Sequence, residues 1–277
     1  MPTSLSHDRP FPGPLVAIAL AAAAWGTFHY WFQIAASRLD AVAAVTFALA
    51  IAYGLVGVLA LPQVRRPWRA RLGIVPMKPK YLLHVALLLP ALFVGLELQA
   101  VVRLVAGRSG GVGIYVWNRE LVASWTPGSL IGVALLVVVV SPVLTEWFFR
   151  GVVQQGLVER LGPMRGLLLT SALTALPQAA PRDDPWVWLA VVLSVTCWGF
   201  VASMLRITTG SLVAPIVVHA GWNALWLAMV LRAESMPIPA FTVSGASLPV
   251  AIALPAALCV AAGAVLQRRA WAARDVA

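Results

Sequence analysis

Residues 130–159 read LIGVALLVVVVSPVLTEWFFRGVVQQGLVE. From Leu130 to Leu144 no residue is charged, and the run is far longer than a β-strand in a globular protein. A helix crossing the hydrocarbon core of a bilayer needs about 20 mostly apolar residues, and this stretch supplies them with charge only in its second half. Pro142 does not argue against a helix here, because proline is tolerated in membrane helices whose neighbours take up the freed backbone groups. The stretch therefore reads as a transmembrane helix that carries Glu146 and Arg150 at depth.

The same reading extends outward. Comparable apolar runs lie at 14–36, 41–62, 81–106, 163–180, 185–205, 212–231 and 247–267, separated by Pro- and Gly-containing breakers such as 62–79, Gly162-Pro163 and 181–185. With 130–159 they predict eight transmembrane helices. The fold class is thus all-α, a polytopic membrane helix bundle, with residues 1–277 as a single integral membrane domain. Composition agrees: 61% of the 277 residues are hydrophobic and 11% charged, and the mean hydropathy is +0.87. Such a chain cannot cover a water-facing surface, which excludes a soluble enzyme.

The net charge of +10 could suggest nucleic acid, but its basic residues sit in short gaps between apolar runs and form no basic face, so no nucleic-acid partner is expected. They read as topology signals. With eight crossings the two termini share one side with the loops holding Arg65, Arg66, Arg69, Arg71, Lys78 and Lys80, then Arg160 and Arg165, then Arg206. The opposite side holds Arg38, Arg108, Arg119, Arg182 and Arg232. The positive-inside rule puts both termini in the cytoplasm. Trp68, Trp117, Trp125, Trp186 and Trp271 fall near helix ends, where an interfacial aromatic belt belongs. The first apolar run lacks a small-residue cleavage site and reads as a retained helix. Cys197 and Cys259 both lie inside apolar runs and read as packing residues, not a disulfide. The Gly-rich 107–113 has no Lys-Ser/Thr ending and reads as a loop, not a phosphate cradle. The basic loop 65–80 suits membrane lipid headgroups as well as topology.

Ionisable groups inside the apolar runs are costly and are functional candidates. They are His29, His84, Glu97, Arg103, Glu146, Arg150 and His219, with Thr145, Gln178 and Asn223 as uncharged companions. Glu146 and Arg150 stand four apart, carboxylate first, which favours an intrahelical ion pair. His219 and Asn223 repeat the spacing, placing an imidazole and an amide one turn apart on one face; taken alone, a buried interhelical hydrogen bond is the favoured account of them. At 1.5 Å per residue, Glu146 lies about 20 Å from the helix end near Glu159, Gln178 about 22 Å beyond Pro163, and His219 about 12 to 20 Å into its own helix. All three can share one level. A catalytic zinc needs three protein ligands, and only His219 and Glu146 are credible, so neither metal nor cofactor is expected.

At these residues the sequence resembles a known family. TEWFFRG (145–151) is similar to the Glu-Glu-x-x-x-Arg motif of the CAAX prenyl endopeptidases and bacteriocin-processing relatives, the CPBP intramembrane proteases. RITTGSLVAPIVVHAGWN (206–223) resembles that family's His-x-x-x-Asn motif with its Thr-Gly-Ser-Leu approach. The resemblance covers about 130–231. It implies an eight-helix bundle in which a glutamate on the fourth helix and a histidine on the fifth activate water, while the histidine and asparagine on the seventh stabilise the oxyanion. It also implies a membrane-anchored or prenylated peptide as partner, and the plasma (inner) membrane of a bacterium as location. Carried onto this chain, the first motif glutamate falls at Thr145 and the second at Glu146, the arginine at Arg150, the fifth-helix histidine at Gln178, and the seventh-helix pair at His219 and Asn223.

Thr145 and Gln178 can hydrogen-bond a water but cannot take its proton near neutral pH. Glu146, about 100° round the helix from position 145 and paired with Arg150, is expected to be poorly placed to substitute. Glu97 is the best candidate for a replacement base, although a structural role as a buried polar residue is the favoured reading of it. Three functions follow: a catalytically impaired member that binds a membrane-associated peptide or partner; an active endopeptidase using Glu146 or Glu97; and, from another class, a small transporter built around Glu97, Arg103 and Glu146. The transporter is the weakest of the three, since no paired half-repeats appear.

Overall fold

The computed structural model describes residues 10–107, 126–178, 184–232 and 247–275. The Gly-rich stretch beyond Gly107, Trp117, Trp125, Arg108, Arg119 and Arg182 lie outside them. Within the described residues the chain is helical, with no strand. Seven helices are long and apolar enough to cross a membrane: α1 (Pro14–Ala36), α2 (Ala41–Gln63), α4 (Pro79–Val105), α5 (Gly128–Leu161), α7 (Pro185–Thr209), α8 (Val213–Arg232) and α9 (Val250–Asp275). A short α3 (Trp68–Leu72) lies in the basic loop, and α6 (Pro163–Ala175) continues as a 3₁₀ turn, Leu176–Gln178.

The eighth expected crossing, 163–180, is this α6. It is shorter than a full membrane helix because Pro177 cannot continue the α-helical hydrogen-bond ladder. It still packs along both α5 and α7. Gly166 makes its approach to α5 possible: a Cβ there would meet the Val158 backbone at 2.6–2.7 Å. α5 compensates for the short neighbour. Its 34 residues amount to about 51 Å of helix, well beyond a hydrocarbon core of about 30 Å.

Local chemistry sets the helix ends. Asp40 accepts from Ala43 N at 3.0 Å at the start of α2, Thr126 and Ser129 form a capping box ahead of α5, and Asp184 accepts from Trp186 N at 2.9 Å ahead of α7. α7 ends at Gly210, whose φ of 72° is the left-handed C-cap conformation. Leu15, Leu104 and Val250 leave most of their side chains uncovered, as lipid-facing residues should be. The buried core falls into a cluster on α4, α7, α8 and α9, a cluster on α1, α2, α5 and α6, and a small one of Ala60, Val64, Leu72 and Val152 under the basic loop.

The end of the bundle that carries the basic loop is tied together by polar contacts between distant segments. Arg71 pairs with Glu159, Arg206 Nη2 donates to Arg71 O at 2.6 Å, Leu212 N donates to Gly73 O at 2.8 Å, and Arg160 Nε donates to Pro10 O at 2.6 Å.

Candidate active site

α5 is not a uniform α-helix. Residues Leu135–Val140 and Trp147–Val153 form π-helical turns on either side of Ser141–Glu146, and such widened turns frequently occur at functional sites. Pro142 gives the first a physical cause. In the π register Ser141 N–H reaches back to Leu136 O, so the next carbonyl, Val137, faces a proline that has no N–H to give. The Asn223 amide Nδ2 from α8 donates to Val137 O at 2.7 Å and satisfies it.

One turn further along α5, Glu146 and Arg150 pair as their spacing predicts. Arg150 Nε lies 3.2 Å from Glu146 Oε2 and its Nη1 3.4 Å from Oε1, with both side chains buried. Arg150 Nη2 continues to Gly199 O on α7 at 2.8 Å. Gly199 leaves room for it, since a Cβ there would come within 3.1 Å of Arg150 Nη2. Glu146 Oε1 is also 2.7 Å from His219 Nδ1, whose side chain is 22% exposed. α5 and α8 thus meet at one carboxylate, with α7 joined through Arg150, and the pairing compensates a charge that would be costly as an isolated ion in this region.

These groups face a cavity of about 390 Å³. Thr145 and Glu146 both line it, together with Arg150, His219 and Asn223. Although about 100° round the helix from 145, position 146 reaches the same space and still pairs with Arg150, which contacts both of its oxygens while His219 contacts Oε1. Glu97 goes elsewhere. Its Oε2 accepts from Leu248 N at 2.8 Å, at the approach to α9, and it is not among the lining residues, which agrees with the structural role favoured for it and not with that of a replacement base. Gln178 closes the 3₁₀ turn after α6; its side chain lies outside the described residues. Thr174, one turn earlier, does line the cavity, with its hydroxyl bonded to Thr170 O at 2.8 Å.

Sequence reasoning missed Gln99, Ser141 and three tryptophans, Trp198, Trp222 and Trp226, all on the cavity wall. Gln99 was detectable as a polar residue in an apolar run. It is buried, and its amide donates to Ser194 Oγ at 2.7 Å. The tryptophans gave no distinguishing signal, since aromatic residues also populate core and interface. His29 stacks edge-on with Trp25, and His84 with Tyr81; neither lines the cavity. Glu146 and His219 are joined by no third His, Cys, Asp or Glu that could complete a metal site among the described residues.

The helices that build this site coincide with a recognised sequence unit. Residues 127–225 match the Rce1-like family model, that of the type II CAAX prenyl endopeptidases. No curated protein and no solved structure matches the chain. The Rce1-like region starts at the capping box of α5 and ends two residues past Asn223, so it contains Thr145, Glu146, Arg150, Gln178, His219 and Asn223. Leu92 and Gln99, on α4, come from outside it and complete the wall. The chain is an integral membrane protein of CAAX-protease-like character.

Proposed function

We propose that this protein binds a membrane-associated peptide in the cavity between α4, α5, α7 and α8 without efficient hydrolysis. The observation that carries the reading is the occupation of its polar groups. Glu146, the one carboxylate on the described cavity wall, is shared between Arg150 and His219, and the Asn223 amide is directed at Val137 O. Hydrolysis needs a free base for water and donors aimed at the developing oxyanion, and Thr145 occupies the motif's glutamate position without being able to take a proton. The cavity suits a peptide: about 390 Å³, with tryptophan and aliphatic walls and a few polar groups. The asymmetry of basic residues supports cytoplasmic termini, and the family resemblance supports the plasma membrane of a bacterium as the location.

The 2.7 Å contact between Glu146 and His219 favours a second reading, an active endopeptidase. A carboxylate on Nδ1 would leave Nε2 as the base, the orienting role an acid plays beside histidine in hydrolases. One experiment separates the two. The full chain in nanodiscs is incubated with a farnesylated and an unlipidated membrane-anchored reporter peptide, and products are read by mass spectrometry. Little or no cleavage is expected in the wild type. Thr145→Glu with Gln178→His should raise it, and neither change alone should, because the two groups act as a unit. Robust wild-type cleavage that disappears in both His219→Ala and Glu146→Gln, each still folded, would establish the endopeptidase instead.

A further inference from the structure

We propose that the end of the bundle bearing the basic loop 65–80 is a preformed binding surface for anionic phospholipid headgroups, and that a bound headgroup steadies α8 and with it the contact between His219 and Glu146. Such a surface serves the site whether or not the peptide in the cavity is cleaved, so it goes beyond the reading above.

Exposed basic side chains gather here from three parts of the chain: Arg66 and Arg69 in the loop, Lys78 and Lys80 ahead of and at the start of α4, and Arg268 and Arg269 near the end of α9. Contacts join these parts into one face. Arg206, near the end of α7, donates to Arg71 O, and Arg71 pairs with Glu159 near the end of α5. Beside Arg206, the Thr208 hydroxyl donates to Gln267 Oε1 on α9 at 2.9 Å, and α9 packs along the start of α4. The acidic residues of segments 63–80, 159–165, 206–211 and 268–275 are Glu159 and Asp275. The face is therefore strongly positive, and an anionic layer relieves the repulsion among its own charges.

A topology signal needs charge in the loop during insertion but no fixed shape. This loop has one. Leu72 is fully buried, in the cluster with Ala60, Val64 and Val152, Leu212 N donates to Gly73 O at 2.8 Å, and Ser211 Oγ donates to Val75 O at 2.5 Å. The backbone is held at 71–75 while the basic side chains on either side stay exposed, so little ordering remains to be done when a ligand binds. Two of the cations lie over aromatic rings, Arg69 over Trp68 at 5.4 Å and Lys80 over Tyr81 at 5.1 Å, and α4 next exposes Leu82 and Leu83. Cations at the level of an aromatic belt, with apolar side chains beside them, match a phosphate headgroup and its acyl chains. A soluble acidic protein offers nothing for Leu82 and Leu83.

The contacts that hold the loop lead on to the site. The Ser211 hydroxyl bonded to Val75 O also accepts from Val213 N at 3.1 Å, in the first turn of α8, and His219 lies about two turns further along that helix. On α5, Gly151 follows Arg150 and lies against the same loop: a Cβ there would stand 3.6 Å from Leu72 O and 3.5 Å from the Leu212 side chain. A headgroup that holds the loop thus holds α8 against α5 at the turns from which His219 and Arg150 extend.

The test titrates the purified full chain in detergent with dioctanoyl phosphatidylglycerol or dioctanoyl phosphatidylcholine and counts adducts by native mass spectrometry. A basic residue near an anionic membrane surface strengthens attraction about five-fold, so phosphatidylglycerol should bind about ten-fold or more tighter, and added salt should shrink that preference. Arg66→Gln with Arg69→Gln, and separately Lys78→Gln with Lys80→Gln, should each reduce it by about five-fold or more. Arg38→Gln, at the other end of the bundle, should leave it unchanged. Should a double variant misfold, the salt dependence of the wild type decides. Equal affinity for the two lipids, a preference indifferent to salt, or one that survives both double variants overturns the surface. Polyglutamate that binds more tightly than phosphatidylglycerol overturns it in favour of an acidic protein partner. In nanodiscs of equimolar phosphatidylglycerol and phosphatidylcholine, amide hydrogen exchange over 212–219 should be about five-fold or more slower than in phosphatidylcholine alone; headgroup binding without that slowing overturns the link to α8. Failure of the peptide-binding reading is read separately, as cleavage of the reporter peptides.

Discussion

At the residue scale, Glu146 and Arg150 are each about 1% exposed, so the energetics of the site begin with the cost of two ions withdrawn from water. Removing one partner of such a pair strands the other charge, typically at about 3 to 5 kcal/mol. Glu146→Gln and Arg150→Met are each expected to lower the thermal midpoint and the yield of monodisperse protein, and the double change to recover part of both. Wild-type midpoints in the single variants would show that the pair contributes nothing to folding. The partnership itself was legible in the sequence, since a spacing of four fixes both groups on one helical face. That His219 joins them was not, because its bond crosses 73 positions of chain and depends on how α8 is rotated about its own axis. Asn223 illustrates the same limit. Its role at Val137 O arises from a carbonyl left without a donor by Pro142, a combination visible only once α5 and α8 lie side by side.

At the scale of elements, close approach decides whether the site forms. Gly199 lets the Arg150 guanidinium reach α7, and a Cβ there would also stand 3.2 Å from the Ser171 backbone of α6. Gly199→Ala should therefore cost about 1 to 3 kcal/mol by overpacking. Gly26 on α1 is the matched control, since a Cβ there meets nothing within 4 Å, and Gly26→Ala should be neutral or stabilising by up to about 1 kcal/mol through helix propensity. Thermal unfolding of the two variants in the same detergent compares them directly; equal midpoints would mean that α7 can shift away from Arg150 at no cost. Apolar length located the helices but not their interior breaks. The π-helical turns of α5 and the early end of α6 reflect local hydrogen-bond accounting around Pro142 and Pro177, which a hydropathy window averages away.

For the whole molecule, orientation is the property most directly open to measurement. Single cysteines at Lys78 and Arg268 should react with an impermeant thiol reagent only in inverted vesicles, and one at Arg38 in intact cells. All three positions are exposed, and labelling of Lys78→Cys from outside intact cells would reverse the orientation. By itself the sequence determined that the chain is a helical membrane protein, roughly where it crosses, which residues share a face of one helix, and the CAAX-protease-like motifs. Each of these depends on composition or on a helical period that is local to a segment. Tertiary structure alone decided which faces meet: Glu97 turned to Leu248 and away from the cavity, Glu146 placed between Arg150 and His219, Gln99 and three tryptophans gathered on one wall, and the basic-loop end closed. A helix fixes the angles among its own side chains, but its rotation and depth against its neighbours come from packing, and the chemistry of this site lies in those relative positions.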